Sequence, residues 1–110
     1  MNTENNKLIA EFMGLEEIYT PLLNIYEISE TETCLETDLA YHTDWDWLME
    51  VVEKIESEGF SIEMNRQEEG DYQCLITKGN DIKFQTFSSM KIEAVYNACV
   101  EFIKWYNEQK

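Results

Sequence analysis

The sequence predicts an α+β fold: one domain spanning residues 1–110, with an antiparallel β-meander packed against two or three amphipathic helices. Three observations carry that expectation. Two segments, Leu48–Ile55 and Ile92–Tyr106, repeat apolar residues at the helical period of 3.6. Between them, three short runs rich in β-branched and aromatic residues are separated by glycine-bearing turns. The chain of 110 residues is 44% hydrophobic, with three Trp, six Tyr and five Phe, which suits one packed core and is too apolar for a disordered chain.

Taken in order, Asn5–Gly14 reads as a short helix, with Leu8, Ile9, Phe12 and Met13 on one side and Gly14 placed to end it. Leu22–Ile28 and Cys34–Tyr41 read as strands or irregular segments around the polar turn SETET, with the only proline, Pro21, just before them. Thr43 opens the second helix in the pattern Thr-x-x-Asp, its hydroxyl placed to accept a free first-turn N–H. Leu48, Val51, Val52 and Ile55 form the inner face of that helix, and Gly59 closes it. The meander is expected as Phe60–Arg66, Tyr72–Lys78 and Ile82–Phe87, with turns at Glu68–Asp71 and Gly79–Asp81. A last helix starts near Ser88 or Ser89, with Ile92, Val95, Tyr96, Cys99, Phe102, Ile103 and Tyr106 on one stripe.

Twenty-three acids against eight bases give a net charge of −15. Such a molecule repels phosphates and anionic lipid, so direct nucleic-acid or membrane binding is not expected. The excess is localised. From Leu8 through Val51 there is no Lys or Arg, while Glu11, Glu16, Glu17, Glu27, Glu30, Glu32, Glu36, Asp38, Asp44, Asp46 and Glu50 all fall there. On the second helix Asp46, Glu50 and Glu53 lie opposite the apolar face, at i, i+4 and i+7. Like charges at that spacing cost a few tenths of a kcal/mol per pair. A helix shaped by stability alone alternates sign instead. Their axial separations, about 6 and 4.5 Å from the helical rise, are on the scale of charge spacing along a nucleic-acid strand. The candidate partner-binding residues are therefore Glu27, Glu30, Glu32, Glu36, Asp38, Asp46, Glu50 and Glu53, joined by Trp47. Trp45 and Trp47 point about 200° apart on a helix; Trp45, three residues before Leu48, is expected to join the core and Trp47 to sit partly exposed on the flank.

No constellation supports catalysis. The single His42, with Asp44 and Cys34 near in sequence, lacks the paired ligand spacing of a zinc site, so no metal and no cofactor are expected. Close carboxylate pairs say little in so acidic a chain, and no glycine-rich phosphate loop is present. Cys34, Cys74 and Cys99 are odd in number and widely spaced, and the opening MNTENNKLIAEF has neither a basic region nor a long apolar run. Free thiols in a reducing cytoplasm, without a secretory leader, are the expectation. Cys99, on the last helix's stripe, reads as a small buried hydrophobe.

Three blocks, NKLIAEFMG at Asn6–Gly14, HTDWDWLMEVVEKIE at His42–Glu56 and KIEAVYNACVEFIKWYNEQK at Lys91–Lys110, resemble small phage and prophage proteins, mostly from Bacteroidetes, described through a phage alpha-beta-alpha sandwich domain. The matching residues are core and helix-forming ones, over about half the chain. The resemblance implies a phage-encoded protein at work in the host bacterial cytoplasm, a setting that includes inhibitors of host defence of the anti-CRISPR type. Together with the charge, it leads to the expectation of a non-catalytic acidic inhibitor. Its partner would be a basic nucleic-acid-binding host protein such as a CRISPR effector nuclease. The alternative is an accessory phage protein acting through protein contacts, its acidity serving solubility alone.

Overall fold

The computed structural model describes residues 2–19, 24–27, 33–35, 39–67, 70–79 and 81–109. The fold is α+β, as the periodicities predict. Helix α1 (Asn2–Phe12) starts a turn before the apolar pattern, its polar first turn carrying Glu4 at the positive end of the helix dipole. It ends where Gly14, at φ 81°, lets the Leu15 N–H reach the Ala10 carbonyl at 3.0 Å and its own N–H reach that of Glu11 at 3.1 Å. Only a residue free to adopt a left-handed conformation closes a helix this way without strain.

A small antiparallel sheet follows: β1 (Glu16–Tyr19), β2 (Asn24–Glu27) and β3 (Thr33–Leu35), ordered β1-β2-β3. The sequence pattern reaches β2 and β3 but not β1, whose four residues EEIY carry no alternation of apolar and polar positions. Tyr41 and Cys34 do not share one strand. β3 ends at Leu35, and Ala40 accepts N–H bonds from Thr43 and Asp44 in a turn instead. Pro21 and the SETET segment lie outside the described residues, apart from Thr33 at the start of β3.

Helix α2 (Trp45–Ser57) is capped by Asp44 rather than Thr43, because the preceding turn uses Thr43. Asp44 Oδ1 accepts the Asp46 N–H at 2.8 Å, and the first intrahelical bond runs from Leu48 N to the Asp44 carbonyl. Gly59, at φ 94°, turns the chain into β4 (Ser61–Arg66), which pairs antiparallel with β5 (Tyr72–Lys78), itself paired with β6 (Asp81–Ser88). Helix α3 (Lys91–Glu108) begins later than Ser88 or Ser89: Ser88 closes β6, where its Oγ accepts the Met90 N–H, and Met90 occupies the cap position without a side-chain bond.

Sheet register decides which residues face α3. Ile62, Ile76 and Phe84 are opposed across the three strands, as are Met64, Cys74 and Thr86. Cys74 and Ile76 are fully buried on the central strand, whereas Glu63, Asn65, Gln85 and Phe87 are exposed, as in a sheet covered on one side. α3 covers β5 and β6, and α1 and α2 pack on α3 in turn. Enclosed on two sides, α3 buries Ala94, Val95, Tyr96, Ala98, Cys99, Val100, Phe102 and Ile103. Phe102 lies 4.8 Å from Phe60, 6.1 Å from Phe12 and 6.2 Å from Phe84, centroid to centroid, in edge-on contacts.

Asn6, 2% exposed, is the one amide or charged side chain buried among the described residues. Its Nδ2 donates to the Leu39 carbonyl at 3.0 Å and approaches His42 Nδ1 at 2.9 Å, while its Oδ1 accepts the Tyr96 hydroxyl at 3.0 Å. One amide thus ties α1 to the turn before α2 and to α3. Leaving a buried donor or acceptor unpaired costs about 1–3 kcal/mol. Asn6→Leu, which removes the donor to the Leu39 carbonyl and one acceptor of the Tyr96 hydroxyl, is expected to lower unfolding free energy by about 3 kcal/mol in urea titration; Tyr96→Phe, which removes one hydrogen bond to the Asn6 oxygen, by about 1 kcal/mol.

Cys74 and Cys99 are free and buried, Cys99 as the small core residue its stripe position predicts. Burial raises Cys74 from 9.0 to about 11 and Tyr96 from 10.0 to about 12, and pushes Cys99 up as well, with Cys74 adding to the effect. The unfolded chain therefore releases these protons at lower pH than the folded one. Their contribution to stability is complete below pH 9 and is lost as pH rises through the folded values. The urea midpoint should stay level up to about pH 9 and fall between pH 9 and about 11, with a shallower fall in Cys74→Ala measured against its own neutral value.

Candidate functional site

Helix α2 turns Leu48, Val51, Val52 and Ile55 inward, and its opposite face carries Asp46, Glu50 and Glu53, all exposed. The sequence-predicted acidic row is therefore one continuous outward surface. Its cation is placed elsewhere. Lys54 is the only basic residue of α2, and an exposed Lys54 would pair readily with Glu50 one turn earlier. Instead it is half-buried, its Nζ donating to the Phe12 carbonyl and standing 4.8 Å from the Phe12 ring centroid. There it meets the carbonyl end of α1, where positive charge is favoured. A depression of about 340 Å³ lined by Glu11, Phe12, Lys54, Glu58, Tyr106 and Asn107 surrounds it. The i, i+4 spacing of Glu50 and Lys54 invites a helix-surface pair; the α1 carbonyl that wins lies 42 residues away in sequence.

Of the other candidate residues, Glu27 ends β2, opposed to Glu16 on β1 and to Thr33 on β3. Glu30, Glu32, Glu36 and Asp38 lie outside the described residues.

The two tryptophans reverse the expected assignment. Trp45 is 37% exposed, while Trp47 is half-buried against the core with its ring edge-on to Tyr41 at 5.2 Å. On the helical wheel they stand about 70° and 90° to either side of the apolar face, nearly equivalent flanks. Buried Tyr41, in the turn before α2, covers the Trp47 flank. No local spacing encodes that choice, because it is made by the chain's path into the helix. Trp47 is consequently a packing residue first, and Trp45 the better placed aromatic for a partner.

His42 is committed through Nδ1 to Asn6, a contact its neighbours in sequence give no sign of. Among the described residues no group of three or more His, Cys, Asp or Glu side chains is placed to hold a metal ion. Among the same residues, no helix is long and apolar enough to cross a membrane. The chain matches no protein-family model, no curated protein and no solved structure.

The burial difference has a measurable consequence. Trp47→Ala removes a half-buried ring and its contact with Tyr41, and should cost about 1–3 kcal/mol in urea denaturation; Trp45→Ala should stay within about 0.5 kcal/mol.

Proposed function

We propose that the protein is a non-catalytic, phage-encoded acidic inhibitor that acts in the host bacterial cytoplasm. It binds a basic nucleic-acid-handling protein, a defence nuclease such as a CRISPR effector, and occupies the channel meant for guide or target strand. The observation that carries this reading is the outer face of α2: three exposed carboxylates in register along a capped helix, with Lys54 turned away to α1. A rigid row of anions presents its charge without the entropy cost that long flexible side chains on a loop incur. Against a basic channel it gains both attraction and steering. The cation-free stretch from Leu8 to Val51 extends the same sign of potential.

A second reading, an accessory protein working through protein contacts with its acidity serving solubility, draws on the exposed apolar residues Trp45, Phe87 and Met90. Salt separates the two. Exposed charges lose their interaction as the Debye length falls from about 10 Å at 0.1 M to about 3 Å at 1 M, whereas apolar anchors do not.

Changing Asp46, Glu50 and Glu53 together to Lys leaves the inner face of α2 untouched. The variant should keep its circular dichroism yet retain no basic nucleic-acid-binding proteins from nuclease-treated bacterial lysate. Asp46→Ala alone should act weakly, and single-stranded DNA should displace the partner from the unaltered protein. Unchanged retention by the folded triple variant would reduce the α2 face to a solvated surface.

A further inference from the structure

A second feature lies apart from the outer face of α2, at the start of α3. A cavity of about 290 Å³ opens where the first turns of α3 meet the turn before α2, lined by His42, Met90, Ile92, Glu93, Tyr96 and Asn97. Its floor is aromatic, the His42 and Tyr96 rings lying 6.1 Å apart. Its lip is apolar: Met90 is 56% exposed, the most exposed large hydrophobic side chain among the described residues. Glu93 and Asn97 both line it and stand at i and i+4 on α3, so they are neighbours on one helix face, about 6 Å apart at their Cβ atoms.

The buried network fixes the remaining polar group. The Leu39 carbonyl can only accept, so the Asn6 atom beside it is the amide nitrogen, which also donates to His42 Nδ1. The Tyr96 hydroxyl, donating to Asn6 Oδ1, is satisfied by the same orientation. Neutral His42 then carries its proton on Nε2, the ring's other nitrogen, and offers one N–H donor.

We propose that this cavity is an arginine-binding subsite, which takes one guanidinium side chain from a basic protein partner. The proposal rests on the acidic-inhibitor reading and names a contact that reading lacks. The aliphatic stem lies over Met90 and Ile92, and the planar head stacks on the aromatic floor and donates to Glu93 and Asn97 together. The arginine's own backbone carbonyl accepts the His42 Nε2–H. A lysine ammonium, a point charge with no plane, can satisfy Glu93 but neither bridges to Asn97 nor stacks. The net charge of −15 supplies the complementarity that selects a cationic occupant over a neutral one.

The test titrates Ac-Gly-Arg-Gly-NH2 into the ¹⁵N-labelled protein and follows the His42 ring signals and the amides of residues 92–97. The same titration is run with the citrulline and lysine analogues. Saturable shifts confined to those residues are expected with arginine, about tenfold weaker with citrulline or in Glu93→Gln, where one charge-assisted hydrogen bond is lost. The variant with Asp46, Glu50 and Glu53 all changed to Lys should still bind the arginine peptide. Loss of partner retention there, with peptide binding preserved, separates failure of the acidic face from failure of the subsite. Equal binding of lysine or citrulline, indifference to Glu93→Gln, or shifts spread along α2 would overturn the assignment.

Discussion

The rest of the structure depends on α3 being enclosed. A helix with a sheet on one side and two helices on the other has little surface left for polar residues, and α3 accordingly buries eight of its side chains. Phe102 stands at the centre, its ring meeting aromatic residues from α1, from the approach to β4, from β6 and from α3 itself. Edge-on aromatic contacts have a preferred geometry that aliphatic packing lacks, so they fix the angles between elements as well as their proximity. With these positions set, α2 can lie only with Leu48, Val51, Val52 and Ile55 against the core, and its carboxylates have nowhere to go but outward.

Enclosure leaves a polar difficulty that Asn6 resolves. Where the turn before α2 meets α1 and α3, a buried backbone carbonyl, a half-buried imidazole nitrogen and a buried phenol hydroxyl are brought together, and one amide bonds to all three. The same side chain therefore anchors the start of α2 and orients His42 at the cavity beside α3. Core and surface are joined there through hydrogen bonds whose donors and acceptors admit one assignment.

How much of this is legible in the sequence depends on whether the deciding partner is local. The meander strands lie within one residue of their expected bounds, because period-two alternation and glycine turns are local properties. The inner faces of α2 and α3 are legible for the same reason. The cap of α2 is not, since a turn ending at Asp44 displaces Thr43 by one position. Nor are the roles of Trp45 and Trp47, two nearly equivalent flanks distinguished by Tyr41. β1 escapes because four residues with two adjacent glutamates show no period. Within the candidate surface, the outward row of Asp46, Glu50 and Glu53 follows from helical geometry, but the destination of Lys54 does not.

Lys54 shows why the acidic face is more than a residue of composition. Glu50 on its own helix and Glu58 at the C-cap stand four residues to either side of it, each at the spacing of an i, i+4 pair that contributes about 0.2–0.5 kcal/mol. The α1 carbonyl and the Phe12 ring offer it a half-buried site where both the helix dipole and the aromatic face favour a cation, and where water screens less. The stronger interaction ties α1 to α2. Once Lys54 is taken, α2 has no cation left for its outer face, and the like-charge cost there stands uncorrected. The fold thus secures two of its helices with the one α2 cation that could have paired with a carboxylate of the outer face, and Asp46, Glu50 and Glu53 are left with no cation from their own helix.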